Sequence, residues 1–264
     1  MKIYTYYDNI NFSDQEELID LWKLSWSRRG FDPVVLSLSS AQSHPYYDEF
    51  INKIKHIVKY TTGKDCSPYG LSCWVRWMAY ATQEEEKFYV SDYDAINLNF
   101  NPTTPNDKLH LMDDCCPFMA SGTPSQFEKL CHMFVGVSMN RLDVLKGLVT
   151  VDHDQEFFAY NLQQQFNKNT NDLLNEYNIL MTRNRMEIGN SFDPIKQKTF
   201  AVRGKVCDAK PTDIVYCDGN INAVKILHVS HTNVMMLKML YSVYNDHDLN
   251  KTRVKIIEQS LGLK

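Results

Sequence analysis

Strand-type and helix-type segments alternate along the first 120 residues of the chain. Short β-prone runs at residues 2–7, 33–36 and 87–90 are separated by segments in which apolar side chains recur at helical spacing. This order predicts an α/β fold with a mostly parallel central sheet flanked by helices. The low glycine content and the absence of a G-x-G-x-x-G motif after the first strand argue against the dinucleotide-binding form of this architecture.

Capping signals mark the starts of three predicted helices. Ser13 with Glu16 and Thr123 with Gln126 have capping-box spacing, and Ser67 precedes a proline suited to the first helical turn. The apolar spacing predicts a further helix over residues 44–60. Later in the chain we expect strands over residues 117–120 and 223–229 and helices over residues 155–182 and 233–262.

The composition is that of an ordinary globular protein. The chain has 264 residues, of which 44% are hydrophobic, and a formal net charge of -4. This near-balance of charge argues against a nucleic-acid-binding surface, which needs an excess of basic residues. Since no repeat or linker interrupts the sequence, we expect one domain over residues 1–264.

The cysteines and the apolar stretches indicate the cellular setting. The seven cysteines include no C-x-x-C pair, which argues against zinc-ribbon and thioredoxin-like sites. No stretch approaches the roughly 20 apolar residues of a membrane span, and the N-terminal residues lack the apolar core of a signal peptide. We therefore expect a cytoplasmic protein with reduced thiols and no membrane span.

Two carboxylates, Asp92 and Asp94, directly follow the third predicted strand. In open α/β sheets, ligands bind outside the carboxyl ends of the strands. Two carboxylates at this spacing in a turn can converge on one hard divalent cation, and that cation can bridge the phosphates of a nucleoside diphosphate. A solvated surface turn is the alternative interpretation, but the position after a buried strand favours a site.

His228 and His231 lie at the end of the late predicted strand. A histidine at a strand end can complete an oxygen, oxygen, nitrogen ligand set begun by two carboxylates. A histidine satisfied by backbone groups is the alternative. Two histidines in a chain that already has a D-x-D sequence favour a functional one.

Three segments share residues with a known enzyme family. They are K-I-Y-T-Y-Y at 2–7, L-S-C-W-V-R-W-M-A at 71–79 and F-Y-V-S-D-Y-D-A-I-N at 88–97. Together they resemble small GT-A-fold glycosyltransferases of bacteria and large DNA viruses, including chlorella-virus glycosyltransferase domains. The resemblance is best over residues 1–100 and looser near residues 117–135 and 223–232. His231 stands where many of these enzymes have the glycine of a His-x-x-Gly motif.

The resemblance implies a metal-dependent hexosyl- or pentosyltransferase. Such an enzyme moves a sugar from a nucleoside diphosphate donor, here expected to be UDP-linked, to a hydroxyl of a glycan or other acceptor. Residues 1–110 would hold the nucleotide sugar, residues 111–232 would hold the acceptor, and residues 233–264 would form a helical tail. Inversion and retention of the anomeric configuration both stay open.

The resemblance also implies roles for individual residues. The ligands of Mn²⁺ or Mg²⁺ would be Asp92, Asp94 and His228, with His231 as the alternative histidine. The donor would be bound by residues at two strand ends and on one helix, namely Thr5, Tyr6, Tyr7, Arg76, Asp92 and Tyr93. Tyr6 could equally be a simple strand side chain, and Arg76 could be solvated or in a salt bridge.

An inverting enzyme also needs a base within hydrogen-bond reach of the attacking hydroxyl. Asp154, within the acidic cluster of residues 152–156, is our candidate. The alternative is that this cluster caps a helix. Asp113 and Asp114 form a weaker candidate, typical of a solvated turn. A retaining enzyme would not need Asp154 as a base.

Two other functions fit the same carboxylates. In a phosphatase similar to the haloacid dehalogenases, Asp92 would be the nucleophile and Asp94 the acid/base on Mg²⁺. That motif usually follows the first strand, whereas here about ninety residues precede it. A non-catalytic carbohydrate- or nucleotide-binding module is the third interpretation, and the absence of a metal requirement would distinguish it.

Overall fold

The computed structural model describes residues 1–8, 15–97, 100–112, 118–146, 154, 174–181, 201–202, 214–215 and 226–228. The strands are β1 (Lys2–Tyr6), β2 (Asp32–Leu36), β3 (Phe88–Ser91), β4 (Ala95–Asn97), β5 (Leu109–Leu111), β6 (Met119–Gly122), β7 (Ile179–Met181), β8 (Ala201–Val202), β9 (Ile214–Val215) and β10 (Ile226–His228). The helices are α1 (Gln15–Ser27), α2 (Leu38–Gln42), α3 (Tyr47–Thr62), α4 (Pro68–Ala81), α5 (Pro124–Met139) and α6 (Leu142–Leu145).

Within the described residues, six strands form one sheet in the order β2-β1-β3-β6-β5-β7. The pairs β1–β3 and β5–β7 are parallel, whereas β6 runs antiparallel to both of its neighbours, β3 and β5. Strands β1, β3, β5 and β7 therefore run in one direction. The prediction of an α/β fold with a mostly parallel central sheet flanked by helices is confirmed.

The chain divides into two compact units, each made of separate segments. The first unit comprises residues 1–11, 33–92 and 103–183, and the second comprises residues 12–32, 93–102 and 184–264. Apart from Asp32, the six-stranded sheet lies in the first unit, as do helices α2 to α6. The division between residues 92 and 93 falls inside the D-x-D sequence, and the single-domain interpretation of residues 1–264 stays a prediction.

Aromatic side chains fill the core of the first unit between the sheet and helices α4 and α5. Phe127 of α5 stacks on Phe88 of β3 at 5.3 Å between ring centroids and on Trp77 of α4 at 6.2 Å. Trp74 of α4 meets Phe134 of α5 edge to face at 5.1 Å. Each fully buried side chain of this size contributes roughly 1.5–3 kcal/mol or more. This packing fixes α4 against the sheet.

Two of the predicted helix starts are confirmed by their capping contacts. The Ser67 hydroxyl accepts from the backbone N–H of Gly70 at 2.9 Å at the start of α4. At the start of α5, the Thr123 hydroxyl accepts from the N–H of Gln126, whose side-chain oxygen accepts from the N–H of Thr123. These contacts satisfy backbone donors that have no partner within the helix. Ser13 lies outside the described residues.

The structure corrects part of the predicted helices. Residues 179–181, expected within a helix, form β7, because this apolar segment pairs in parallel with β5 at the edge of the sheet. The helix expected over residues 44–60 begins at Tyr47 and ends at Thr62, and the short helix α2 precedes it. The late strand is confirmed at Ile226–His228, whereas residues 233–262 lie outside the described parts.

In the second unit, β4 and β10 form an antiparallel pair next to α1. Ile226, Leu227 and His228 are opposite Asn97, Ile96 and Ala95. The indole N–H of Trp26 donates to the carbonyl oxygen of Ala95 at 2.9 Å, and the backbone N–H of Asn97 donates to the hydroxyl of Ser25 at 3.1 Å. Both ends of β4 are therefore hydrogen-bonded to α1.

Across the described part of the chain, no helix has both the length and the apolar character that a membrane span needs.

Candidate functional site

The D-x-D sequence begins where β3, a strand in the interior of the sheet, comes to its end. All four residues of β3 are buried between β1 and β6. The backbone N–H of Asp92 donates to the carbonyl oxygen of Phe118 at 2.7 Å, so the chain is still held to its neighbour one residue beyond the strand. The side chain of Asp92 is 20% exposed. This carboxylate therefore lies at the carboxyl end of a central strand, where ligands bind in such sheets.

Three residues predicted for the site, Arg76, Asp92 and Asp154, meet in the first unit. The Nη1 of Arg76 donates to Oδ1 of Asp92. The Nε and Nη2 of the same guanidinium donate to Oδ2 of Asp154 at 3.1 and 2.7 Å. Trp77, the next residue of α4, donates its indole N–H to that same oxygen at 2.6 Å. One guanidinium thus joins two carboxylates that are 62 residues apart in the sequence.

Opposite charges meet in this cluster. Burial disfavours the charged guanidinium, but the carboxylates of Asp154 and Asp92 outweigh that cost and hold the pKa of Arg76 well above its ordinary value. The guanidinium also lies 4.8 Å from the ring centroid of Trp77, within the range of a cation–π contact. Two carboxylates and the Trp77 ring thus surround one guanidinium.

Two residues of α4 near this cluster were not predicted from the sequence. Burial raises the pKa of the Cys73 thiol and of the Tyr80 hydroxyl, and both groups feel the charges of Asp154, Arg76 and Asp92. Cys73, Arg76 and Tyr80 recur at the spacing of one helical face. That spacing was the available signal, but a thiol and a phenol in an apolar helix also fit a core interpretation.

The end of β1 is connected to the same helix. A backbone hydrogen bond with Tyr6 partly offsets the raised pKa of Tyr80, so the Tyr80 hydroxyl lies beside the β1 backbone. Tyr6 is buried, and its hydroxyl donates to Asp8 at 3.4 Å. Burial, followed by the charge of Asp8, raises the pKa of Tyr6. The phenol of Tyr6 is thus part of the core, as the strand interpretation of this residue predicts.

The two neighbours of Tyr6 have different environments. Thr5 is fully buried, and its hydroxyl oxygen has no hydrogen-bond partner in the described parts of the chain. Tyr7 is partly exposed, and its backbone N–H donates to the carbonyl oxygen of Leu36 at 2.9 Å, which ties β1 to β2. Tyr7 is therefore the more accessible of the two aromatic side chains predicted to contact the nucleotide.

In the second unit, the strand pairing brings the backbones of two predicted metal ligands into neighbouring positions. His228 is the antiparallel partner of Ala95, the residue that follows Asp94. Asp94 is 8% exposed, and Tyr93 is partly buried. His231, Asp113 and Asp114 lie outside the residues that the structure describes.

The donor atoms present fit a hard divalent cation. Carboxylate and imidazole ligands suit Mn²⁺, and carboxylates suit Mg²⁺. The backbone of His228 pairs with that of Ala95, the residue after Asp94. Oδ1 of Asp92 accepts a hydrogen bond from Arg76. Among the described side chains, no group of three or more His, Cys, Asp or Glu residues forms a ready metal cluster.

Similarity to known proteins is found among solved structures. No protein-family model and no curated protein sequence matches the chain. Two solved structures of the glycosyltransferase GlyE from Streptococcus pneumoniae are similar to it, one of them the apo form. The apo form is 12% identical with a TM-score of 0.38, and the other is 10% identical with a TM-score of 0.36. Each match covers 70% of this chain and 45% of the GlyE chain.

This chain therefore spans less than half the length of the GlyE chains that it matches. At these TM-scores the likeness carries no conclusion about family or activity.

Proposed function

We propose that this protein is a glycosyltransferase that moves a sugar from a UDP-linked donor to a hydroxyl of a glycan or other acceptor. The observation that carries the proposal is the D-x-D sequence directly after the buried central strand β3. Its first carboxylate, Asp92, is hydrogen-bonded to Arg76 of α4. Carboxylates at the end of a central strand are suited to a cation and a nucleoside diphosphate.

Asp94, Asp92 and His228 would hold Mn²⁺ or Mg²⁺. Asp94 is the most direct ligand in this proposal, as the resemblance to GT-A-fold enzymes implies. When bound, the cation supplies positive charge to the diphosphate as it departs.

The remaining donor contacts stay predictions from the sequence. The partly exposed Tyr7 ring at the end of β1 can stack on the nucleotide base. Thr5 carries a buried hydroxyl, and Tyr93 lies between the two aspartates of the D-x-D sequence. The role of Asp154 as the base that activates the acceptor is untested as well. Its Oδ2 already accepts three N–H groups.

Calorimetric titration of UDP tests the proposal directly. Three samples are compared, namely the protein with Mn²⁺, the protein with EDTA, and the Asp94→Asn variant with Mn²⁺. We expect micromolar binding that requires both the metal and the Asp94 carboxylate. The exposed Asp65, which pairs with Lys59 in a surface salt bridge, provides a matched control as Asp65→Asn.

The alternative functions give different results in the same titrations. Metal-independent UDP binding would indicate a nucleotide-binding module and would remove Asp94 from its central role. If UDP does not bind, GDP and dTDP are tested next. Failure of all three nucleotides would overturn the transferase proposal. Release of phosphate from sugar phosphates with Mg²⁺ would then favour the phosphatase.

A further inference from the structure

Asp154 makes its contacts through one oxygen atom. Its Oδ2 accepts from Nε and Nη2 of Arg76 and from the indole N–H of Trp77, at distances of 2.6 to 3.1 Å. Its Oδ1 is buried and has no hydrogen-bond partner among the described residues. The residue is fully buried. Its carboxylate thus faces donors of α4 and is shielded from solvent.

The guanidinium of Arg76 donates hydrogen bonds to two carboxylates, those of Asp154 and Asp92. Nε and Nη2 face Asp154, and Nη1 donates to Asp92. A guanidinium is planar, so fixing two of its nitrogens fixes the direction of the third. With Asp154 in place, the two N–H bonds of Nη1 have fixed directions, and one of them points to Asp92.

We propose that Asp154 is a positioning residue that fixes the guanidinium of Arg76, so that Arg76 holds Asp92 at the start of the D-x-D sequence. Trp77 completes this arrangement by donating to the same carboxylate oxygen. The three residues Arg76, Trp77 and Asp154 form a clamp on Asp92. The contacts of the clamp are independent of the proposed function. Its role in binding the donor and the cation rests on that function.

A positioning residue and a catalytic base differ in measurable ways. A base lies within reach of the attacking hydroxyl, and its loss lowers kcat while donor binding is retained. A positioning residue acts through the groups that it orients, so its loss weakens donor binding. The burial of Asp154 and its three N–H contacts favour the second role.

The first test uses Asp154→Asn, which keeps the shape of the side chain and removes its charge. We expect Mn²⁺-dependent UDP binding to weaken by about 10- to 100-fold. Losses of this size are typical when a residue that orients a metal ligand, without binding the metal itself, is replaced. Arg76→Lys keeps the positive charge but lacks the planar fork, and it should show a loss in the same direction. Asp65→Asn serves as the control and should bind like the wild type, since its side chain is 91% exposed.

Wild-type affinity in Asp154→Asn or in Arg76→Lys would overturn the clamp. Wild-type affinity of Asp154→Asn combined with a loss confined to kcat would instead assign Asp154 as the base. Far-ultraviolet circular dichroism confirms that each variant is folded before its binding is compared. Should Asp154→Asn not fold, wild-type affinity of Arg76→Lys would still overturn the clamp.

A second measurement does not depend on any ligand. In ¹⁵N-labelled protein, the buried Nε–H of Arg76 and the indole N–H of Trp77 should give resonances protected from solvent exchange. We expect both resonances to shift in Asp154→Asn and to keep their positions in Asp65→Asn. Unchanged resonances in Asp154→Asn would overturn the clamp. If no nucleotide binds the wild type while these resonances shift, the proposed function fails and the clamp stands.

Discussion

The backbone of His228 pairs with that of Ala95, the residue that directly follows Asp94. The two partners are 133 positions apart in the sequence, so this pairing is a property of the folded second unit. It brings the late histidine next to the D-x-D sequence at the level of the backbone. The choice between His228 and His231 can therefore be tested at a defined place in the fold.

We predict that His228→Ala weakens the binding of Mn²⁺, measured by electron paramagnetic resonance of the free ion, by about tenfold or more. The physical reason is that the proposed cation site would lose its imidazole ligand. His231→Ala is compared in the same titration, and the exposed His56→Ala provides the control. A loss in His231→Ala alone would transfer the ligand role to that residue, and no loss in either variant would contradict histidine ligation.

A buried tyrosine at the start of β1 gives a prediction about stability. The hydroxyl of Tyr4 and the ammonium group of Lys2 both donate to the carboxylate of Glu85. Burial raises the pKa of Glu85, but the hydrogen bonds from Lys2 and Tyr4 outweigh it, so the pKa lies below its ordinary value. We predict that Glu85→Gln lowers the free energy of unfolding by about 1–3 kcal/mol, the value of a charged hydrogen bond.

The direction of the pH effect follows from that lowered pKa. A carboxyl group whose pKa is lower in the folded state stabilises the fold above its ordinary pKa of about 4.3 and loses this contribution as the pH falls through the folded value. The difference in urea unfolding between wild type and Glu85→Gln should therefore shrink in acid. Glu49→Gln, which removes an exposed pair with Lys53, should change the free energy of unfolding little, because solvent screens an exposed ion pair.

The parts of the fold that were predicted correctly are those that depend on residues close together in the sequence. The alternation of strands and helices, the capping box at Thr123 and the D-x-D sequence at the end of β3 all depend on neighbouring residues. β7 was predicted wrongly as helix because its pairing with β5 connects segments about 70 residues apart, and such pairing overrides local preference.

The contacts within the candidate site also join residues that are distant in the sequence, so local patterns did not predict them. Arg76, Asp92 and Asp154 were each singled out as single residues, but nothing in their spacing indicates that they meet. Arg76 and Asp154 are separated by 78 positions. Tyr80 was not singled out, because a tyrosine on an apolar helix is most often a core residue. Its position beside β1 becomes evident only once α4 packs on the sheet.

His44 gives a prediction of pH-dependent stability at the junction before α3. Its Nδ1 accepts from the backbone N–H of Tyr46 at 3.2 Å, so this nitrogen is unprotonated in the folded protein. The pKa of His44 is lowered, and burial is the largest cause. The carboxylate of Glu128, 3.6 Å from Nε2 of His44, acts in the opposite direction and raises the pKa. His132 lowers it.

A histidine with a lowered pKa in the folded state binds its proton more readily when the chain is unfolded. The free energy of unfolding should therefore be fully retained above the ordinary histidine pKa of about 6.5 and should fall as the pH decreases below it. In His44→Asn, whose amide oxygen can accept from Tyr46, we expect this part of the pH dependence to disappear in urea unfolding. The exposed His56→Asn should keep it, and a wild-type slope in His44→Asn would contradict the assignment.

The capping box of α5 gives a prediction about how the site-bearing unit is stabilised. The Thr123 hydroxyl accepts from the N–H of Gln126 at 3.2 Å, and α5 packs its buried face on α4, the helix that carries Arg76. Thr123→Ala should lower the free energy of unfolding by about 1 kcal/mol, because a donor at the helix start loses its partner. Thr123→Ser should restore most of this loss. A loss in Thr123→Ser equal to that in Thr123→Ala would show that the methyl group rather than the cap stabilises this helix start.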